Sequence, residues 1–174
     1  MISRLAYRSR QFWKALFGPR KRLTSESLLL YLTPSQQQLF QRMQPSEQAH
    51  ALQIFKSLET AGQVQPDLLA AALLHDVGKI LYPLSIFDRV IIVLGKRLFP
   101  RRVQRWAEGT PKGLRLPFVV AEHHAEWGAA LATQAGATSL TVELIRRHQE
   151  NHLINPLSQT ERLLAALQGV DDEN

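Results

Sequence analysis

The chain has 174 residues, 45% of them hydrophobic, a formal net charge of +6 and no cysteine. That length and apolar share suit one globular domain with a real core and room for an appendage. The missing cysteines exclude disulfides, thiolate zinc sites, iron–sulfur clusters and cysteine nucleophiles, so any metal must be held by His and carboxylate.

The charge is unevenly placed. Residues 1–22 carry seven basic residues and no acid. Residues 88–115 carry eight basic residues against Asp88 and Glu108, and the remainder is net acidic. The pattern is an acidic body with two basic patches. No apolar run resembles a secretory signal or a bilayer span, so a cytoplasmic location is expected.

Residues 2–17 read as an amphipathic helix. Ile2, Leu5, Phe12, Trp13, Leu16 and Phe17 share one face; Arg4, Arg8, Arg10 and Lys14 lie on or beside the other. Gly18-Pro19 ends it, and Arg20-Lys21-Arg22 reads as a solvated linker. Its apolar face is expected to dock on its own domain or on a second protomer, giving a homo-oligomer. An anionic membrane surface is the alternative, a peripheral contact through residues 2–17. The expected division is therefore residues 1–22 as a basic helix and linker, and 23–174 as the main domain.

Thr33-Pro34 offers a cap and a first-turn proline for a helix over 34–43 with Leu39, Phe40 and Met43 inward. Pro45 opens the next, to about Ala61, with Ala49, Leu52, Ile54, Phe55 and Leu58 on its apolar face and His50 beside that face. Pro66-Asp67 starts a central helix that runs through His75-Asp76 until Gly78 ends or bends it. Ser85 and Asp88 resemble a capping box before a helix over 86–98, punctuated by Pro100. Residues 107–117 read as a loop. Pro117 opens a helix through His123, His124 and Trp127, which Gly128 interrupts or packs closely. A helix from about Leu140 ends near His148, and the last starts at Ser158. No stretch alternates as a strand and no repeat or glycine-rich phosphate loop is present, so the class is all-α, a bundle of packed helices.

His50, His75-Asp76, His124, His148 and Asp171 fall at helix ends spread along this chain. Imidazole and carboxylate suit divalent transition metals, and a bundle can bring one inward position from each helix together. Taken singly, each His is as ordinary as a satisfied core or surface histidine, and the closing Asp-Asp-Glu-Asn reads as a solvated tail.

Together they carry a resemblance. The run Ala70-Ala71-Ala72-Leu73-Leu74-His75-Asp76-Val77-Gly78-Lys79, with a His upstream and an Asp far downstream, is similar to the HD superfamily of metal-dependent phosphohydrolases over roughly residues 30–171. His124-Ala125-Glu126-Trp127-Gly128-Ala129, Ile145-Arg146-Arg147-His148 and Leu164–Asp171 resemble segments of its dinuclear bacterial subfamily of symmetrical diadenosine tetraphosphate hydrolases. The resemblance implies an HD-domain helical bundle and a dinuclear site of Fe, Mn, Zn or Ni. His50, His75, Asp76 and Asp171 would hold one metal; Asp76 would bridge to a second held by His124 and His148. His123 competes with His124, and Asp172 with Asp171.

The implied chemistry is hydrolysis of a phosphate ester or anhydride by a metal-activated hydroxide. Asp76 and Lys79 would be catalytic, and Lys79 would contact a substrate phosphate. Arg101 and Arg102, in the basic segment where this superfamily inserts substrate-specific helices, are expected to face a polyanionic substrate such as a nucleotide. The chain departs from the subfamily over residues 80–117, so its substrate is not carried over. It also lacks the Gly-Tyr-Pro segment of cyclic-di-GMP phosphodiesterases, and it ends three residues after Asp171. A second reading is a non-catalytic HD module that binds metal or nucleotide, or docks a partner or membrane. All six ligand positions being filled favours the enzyme. No aromatic–basic recognition motif supports a nucleic acid partner.

Overall fold

A computed structural model describes residues 31–150 and 158–173. The helix expected over residues 2–17 and the linker after it lie outside them. Among the described residues there are eight α-helices and no strand, which is the all-α bundle expected. None is long and apolar enough to cross a membrane.

Helix α1 (Pro34–Arg42) starts as its sequence dictates: Thr33 and Gln36 cap each other reciprocally, and Leu39 and Phe40 turn inward. Helix α2 (Pro45–Thr60) stops before Gly62, whose φ of 75° is costly for any other residue. Its core face is Ala51, Ile54, Phe55 and Leu58, while Ala49, expected inward, is exposed.

Helix α3 (Pro66–Leu74) is the centre of the molecule. Gln65 caps its start by accepting from the Leu68 amide at 2.7 Å, and every residue from Leu68 to Leu74 is buried. A helix apolar all round must be surrounded, and α1, α2 and two later helices, α7 (Ser139–Arg147) and α8 (Gln159–Glu173), pack on it. Each buried leucine contributes about 2 kcal/mol to that packing. The helix was expected to run through Asp76. Regular α geometry stops at Leu74, and a 3-10 turn spans Val77–Leu81.

The turn at Gly78 decides what comes next. A Cβ there would lie 2.0 Å from the His124 carbonyl oxygen and 2.7 Å from the Gly128 amide nitrogen. Helix α6 (Leu116–Gln134) therefore crosses the turn backbone to backbone, with both glycines buried. Gly128 does not interrupt α6; it permits this approach.

Helix α4 (Ile86–Leu98) has the expected bounds and a capping box between Ser85 and Asp88. Pro100, read as punctuation, occupies the first turn of a further helix, α5 (Pro100–Ala107), where proline costs no hydrogen bond. The expected loop over 107–117 is shorter and contains a 3-10 turn at Gly113–Arg115. Val103, Ala107 and Phe118 form a small separate core, with Ile91 and Trp106 against it. It seats α4 and α5 on α6. Helix α7 starts at the Thr138 cap. Helix α8 includes Asp171 and Asp172, so the expected tail is helical.

Candidate metal centre

Five elements deliver one or two polar side chains each to the same interior point. His50 comes from α2, His75 and Asp76 from the end of α3, His124 from α6, His148 from the end of α7, and Asp171 from α8. His75, Asp76, His124 and His148 are buried; His50 and Asp171 are partly exposed. The ligand atoms fall into two groups, His50–His75–Asp171 and Asp76–His124–His148, each mutually within 4.8 Å. His50 Nε2 lies 2.9 Å from Asp171 Oδ1, and His124 Nε2 lies 3.1 Å from Asp76 Oδ1. The rings of His50, His75, His148 and His124 follow one another at centroid separations of 5.3, 5.1 and 5.3 Å.

The backbone sets the tautomers. His75 Nδ1 donates to the Ala72 carbonyl at 3.0 Å, His124 Nδ1 to Val120 at 2.9 Å, and His148 Nδ1 to Ile145 at 2.7 Å. A carbonyl only accepts, so Nδ1 holds the proton in all three and a neutral ring turns its Nε2 lone pair to the centre. For His148 neutrality is enforced. Burial, aided by charge on His75, pushes its pKa down to about 3. The Nε2 of His75 is buried with no hydrogen-bond partner; Asp76 Oδ2 and Asp171 Oδ1 are 3.6 and 3.8 Å away. Leaving such a lone pair unsatisfied costs about 1–3 kcal/mol.

Burial opposes the charge of Asp76, but Lys79, His75 and the hydrogen bond with His124 outweigh it and hold the carboxyl well below its usual range. Burial also opposes the charge of Asp171, yet His50 and His75 keep its pKa at about 2. Two ionised carboxylates thus stand among four imidazole rings. A buried imidazole nitrogen without a partner, set among carboxylates and further imidazoles, is what a cation of the N/O-binding type satisfies, so these residues fit a divalent transition metal.

The members of the two competing pairs face different neighbours. His123 donates Nε2–H to the Ala107 carbonyl at 3.1 Å and stacks on Trp127, so it anchors the end of α5 while His124 faces Asp76. Asp171 faces His50 and His75; Asp172 is exposed. Lys79 Nζ donates to Asp76 Oδ2 at 2.7 Å. Desolvation works against its charge, but Asp76 and Glu47 raise its pKa.

A cavity of about 270 Å³ opens beside Lys79 and His124, with Arg89 and Lys96 of α4 in its wall. Arg101 and Arg102, expected to face substrate, do not line it. They are exposed on α5, and Arg102 lies over the Phe99 ring. Helix α5, which begins at Pro100 where only a break was expected, sets that orientation.

Two supporting residues went unread. Buried Glu47, one turn before His50, pairs with Arg89 at 2.6 Å and so fastens α4 to α2. Buried Gln168 donates Nε2–H to the carbonyls of Arg147, His148 and Glu150, at 3.4, 3.3 and 3.0 Å, holding the end of α7 that carries His148. The available signal was a polar residue one turn after Leu164 on the apolar face of α8.

The profile of one protein family, described as HD domain, matches residues 48–170. Comparison with curated proteins and with solved structures gave no match.

Proposed function

The chain belongs to the HD domain family, and from that premise we propose that it is a metal-dependent phosphohydrolase of nucleotides or other small phosphorylated molecules. The observation that carries the reading is the buried, unpartnered Nε2 of His75 between two ionised carboxylates. His50, His75, Asp76 and Asp171 would hold one metal. Asp76, His124 and His148 would hold the second, so Asp76 is shared. This six-ligand arrangement is the one that the likeness to the dinuclear subfamily implies. Residues 23–174 would form the HD domain, with 1–22 as an attached basic segment.

When bound, divalent cations in such a site acidify water and offset charge on phosphoryl oxygens. The chain's own residues supply the rest. The Ala72, Val120 and Ile145 carbonyls fix which imidazole nitrogen faces inward. Asp76 keeps its charge despite burial because Lys79 and His75 stand beside it. Lys79, Arg89 and Lys96 present three cations to the cavity, where a phosphorylated substrate replaces water and pairs with them. Leu84, Ile92 and Ala121 give the same cavity an apolar wall for the remainder of the substrate.

The test is elemental analysis of anaerobically handled protein, followed by a phosphatase screen across nucleotides. Two metals per chain and a hydrolysed substrate are expected. One metal would reduce the site to a mononuclear one. No metal after reconstitution with Fe, Mn, Zn and Ni, together with no turnover, would overturn the reading in favour of a binding module.

A further inference from the structure

Helix α4 is apolar on both its packed and its solvent side, with Ile91 and Ile92 half-buried. Gly95 marks its buried side, because a Cβ there would lie 2.5 Å from the Phe118 ring. At about 100° per residue, Val93, Ile86, Val90, Leu94, Phe87 and Leu98 fall on one continuous arc of about 140° to the side of Gly95, broken only by Arg97. All six are exposed, Phe87 to 80%, so the side turned to solvent is apolar as well. The apolar exposure continues past the helix with Phe99 and, at 83%, Leu114. Scattered exposed apolar residues need no explanation, but a whole helix face does.

The charge around that face restricts what covers it. Helix α5 exposes Arg101, Arg102 and Arg105, and Lys112 and Arg115 flank Leu114. Asp88 is engaged in the cap of α4, which leaves Glu108 as the other acid of residues 88–115. A second copy would bring the same arginines against these. Residues 1–22, with seven basic residues and no acid, would do likewise. The cover must offer both an apolar layer and anionic groups.

We propose that the outward face of α4, with the arginines of α5, docks the protein on an anionic lipid bilayer. Phe87, Leu94, Leu98 and their neighbours enter the boundary between headgroups and acyl chains, and the arginines pair with lipid phosphates. Arg97, inside the apolar arc, reaches the phosphate layer with its head while its methylenes stay among the lipids. This differs from a contact through residues 2–17, and the cavity lies along the adjoining side of α4, lined by Arg89, Ile92 and Lys96, with Val93 at the border between the two.

The experiment is sedimentation of the full chain with vesicles of phosphatidylcholine mixed with phosphatidylglycerol, and of phosphatidylcholine alone. Binding to the anionic vesicles, weakened by salt, is expected. The F87S/L98S and R101E/R105E variants should each weaken it about tenfold or more. Both change exposed residues, and circular dichroism checks that they fold. In a second measurement, F87W should shift its emission to the blue on anionic vesicles and not on neutral ones. Absence of vesicle binding overturns the proposal. So does loss confined to F12S/W13S, which assigns the contact to the N-terminal segment. A change from dimer to monomer in F87S/L98S, read by light scattering, also overturns it, because the face would then meet a second copy.

Discussion

Asp76 is the residue on which both halves of the centre converge. Its Oδ1 faces His124 and its Oδ2 faces Lys79, with His75 Nε2 at 3.6 Å. If it is the shared ligand, Asp76→Ala removes both metals, whereas His124→Ala removes one. Metal content by elemental analysis reads both. Full occupancy in D76A excludes the bridging role, and unchanged occupancy in H124A returns attention to His123. Gln168 makes a subtler case, since it touches no proposed ligand atom and holds only backbone. Gln168→Ala frees the carbonyls of Arg147, His148 and Glu150 from α8. Its expected effect is a loss of roughly 10–100-fold in metal affinity, measured by competition with a chelator. Gln168→Glu keeps the shape but lacks the donor, so it should fail to rescue.

At the scale of elements, the approach of the 3-10 turn to α6 carries the site, because it sets Asp76 opposite His124. Gly78→Ala places a methyl 2.0 Å from a backbone oxygen that cannot step aside. About 3 kcal/mol of destabilisation is expected by chemical denaturation. Gly169→Ala is the control. Its Cβ meets nothing within 4 Å in the exposed side of α8, so the same exchange should stabilise by about 0.5–1 kcal/mol.

A second joint ties the start of α3 to the start of α7. Asp67 accepts hydrogen bonds from Thr138, Thr141 and Gln65. Partial burial opposes its charge, but these donors lower its pKa below the ordinary value. A depressed folded pKa contributes stability above the unfolded value of about 3.9, and that contribution disappears as pH falls through the folded value. The stability gap between wild type and Asp67→Asn should therefore be constant from about pH 7 to pH 5 and narrow below about pH 4. Urea unfolding across that range measures it, and a gap independent of pH would remove the carboxylate from the joint.

These joints also show what was legible beforehand. The helices opened by Pro34, Pro45 and Pro66 could be read because caps and prolines act locally. Gly128 could not be settled, since its reason is the backbone of a turn some fifty residues earlier in the chain. Pro100 was misread for a related cause: a proline ends one helix and begins another with the same ring, and only the small core of Val103, Ala107 and Phe118 favours the second. Arg101 and Arg102 went with it. In a segment with basic residues at almost every turn, spacing does not say which of them face the cavity, and Arg89 and Lys96 do. Asp171 looked like part of a tail, and it is the packing of Leu163, Leu164 and Leu167 that brings it to His50.

The whole molecule is a bundle whose polar centre draws on α2, α3, α6, α7 and α8. In the unfolded chain His50 and Asp171 are separated by 121 positions, so no preformed site exists there. A ligand that binds only the folded state stabilises it by mass action, by about 2.7 kcal/mol at a hundredfold excess over Kd. For a chain of this size that corresponds to roughly 5–10 °C in Tm per occupied site. Thermal unfolding should therefore rise on addition of Mn or Fe and fall after chelation. In D76A the metal-dependent rise should vanish, and there a lower Tm without metal is not required, since the substitution also removes a buried charge and the partner of Lys79. If the wild-type Tm is indifferent to every divalent metal while the fold stays intact, the buried acceptors are satisfied in another way. The direct contact between His124 Nε2 and Asp76 Oδ1 at 3.1 Å would then be the simplest one. The two cases separate by chelation, because a chelator lowers Tm only where a bound metal contributes to it.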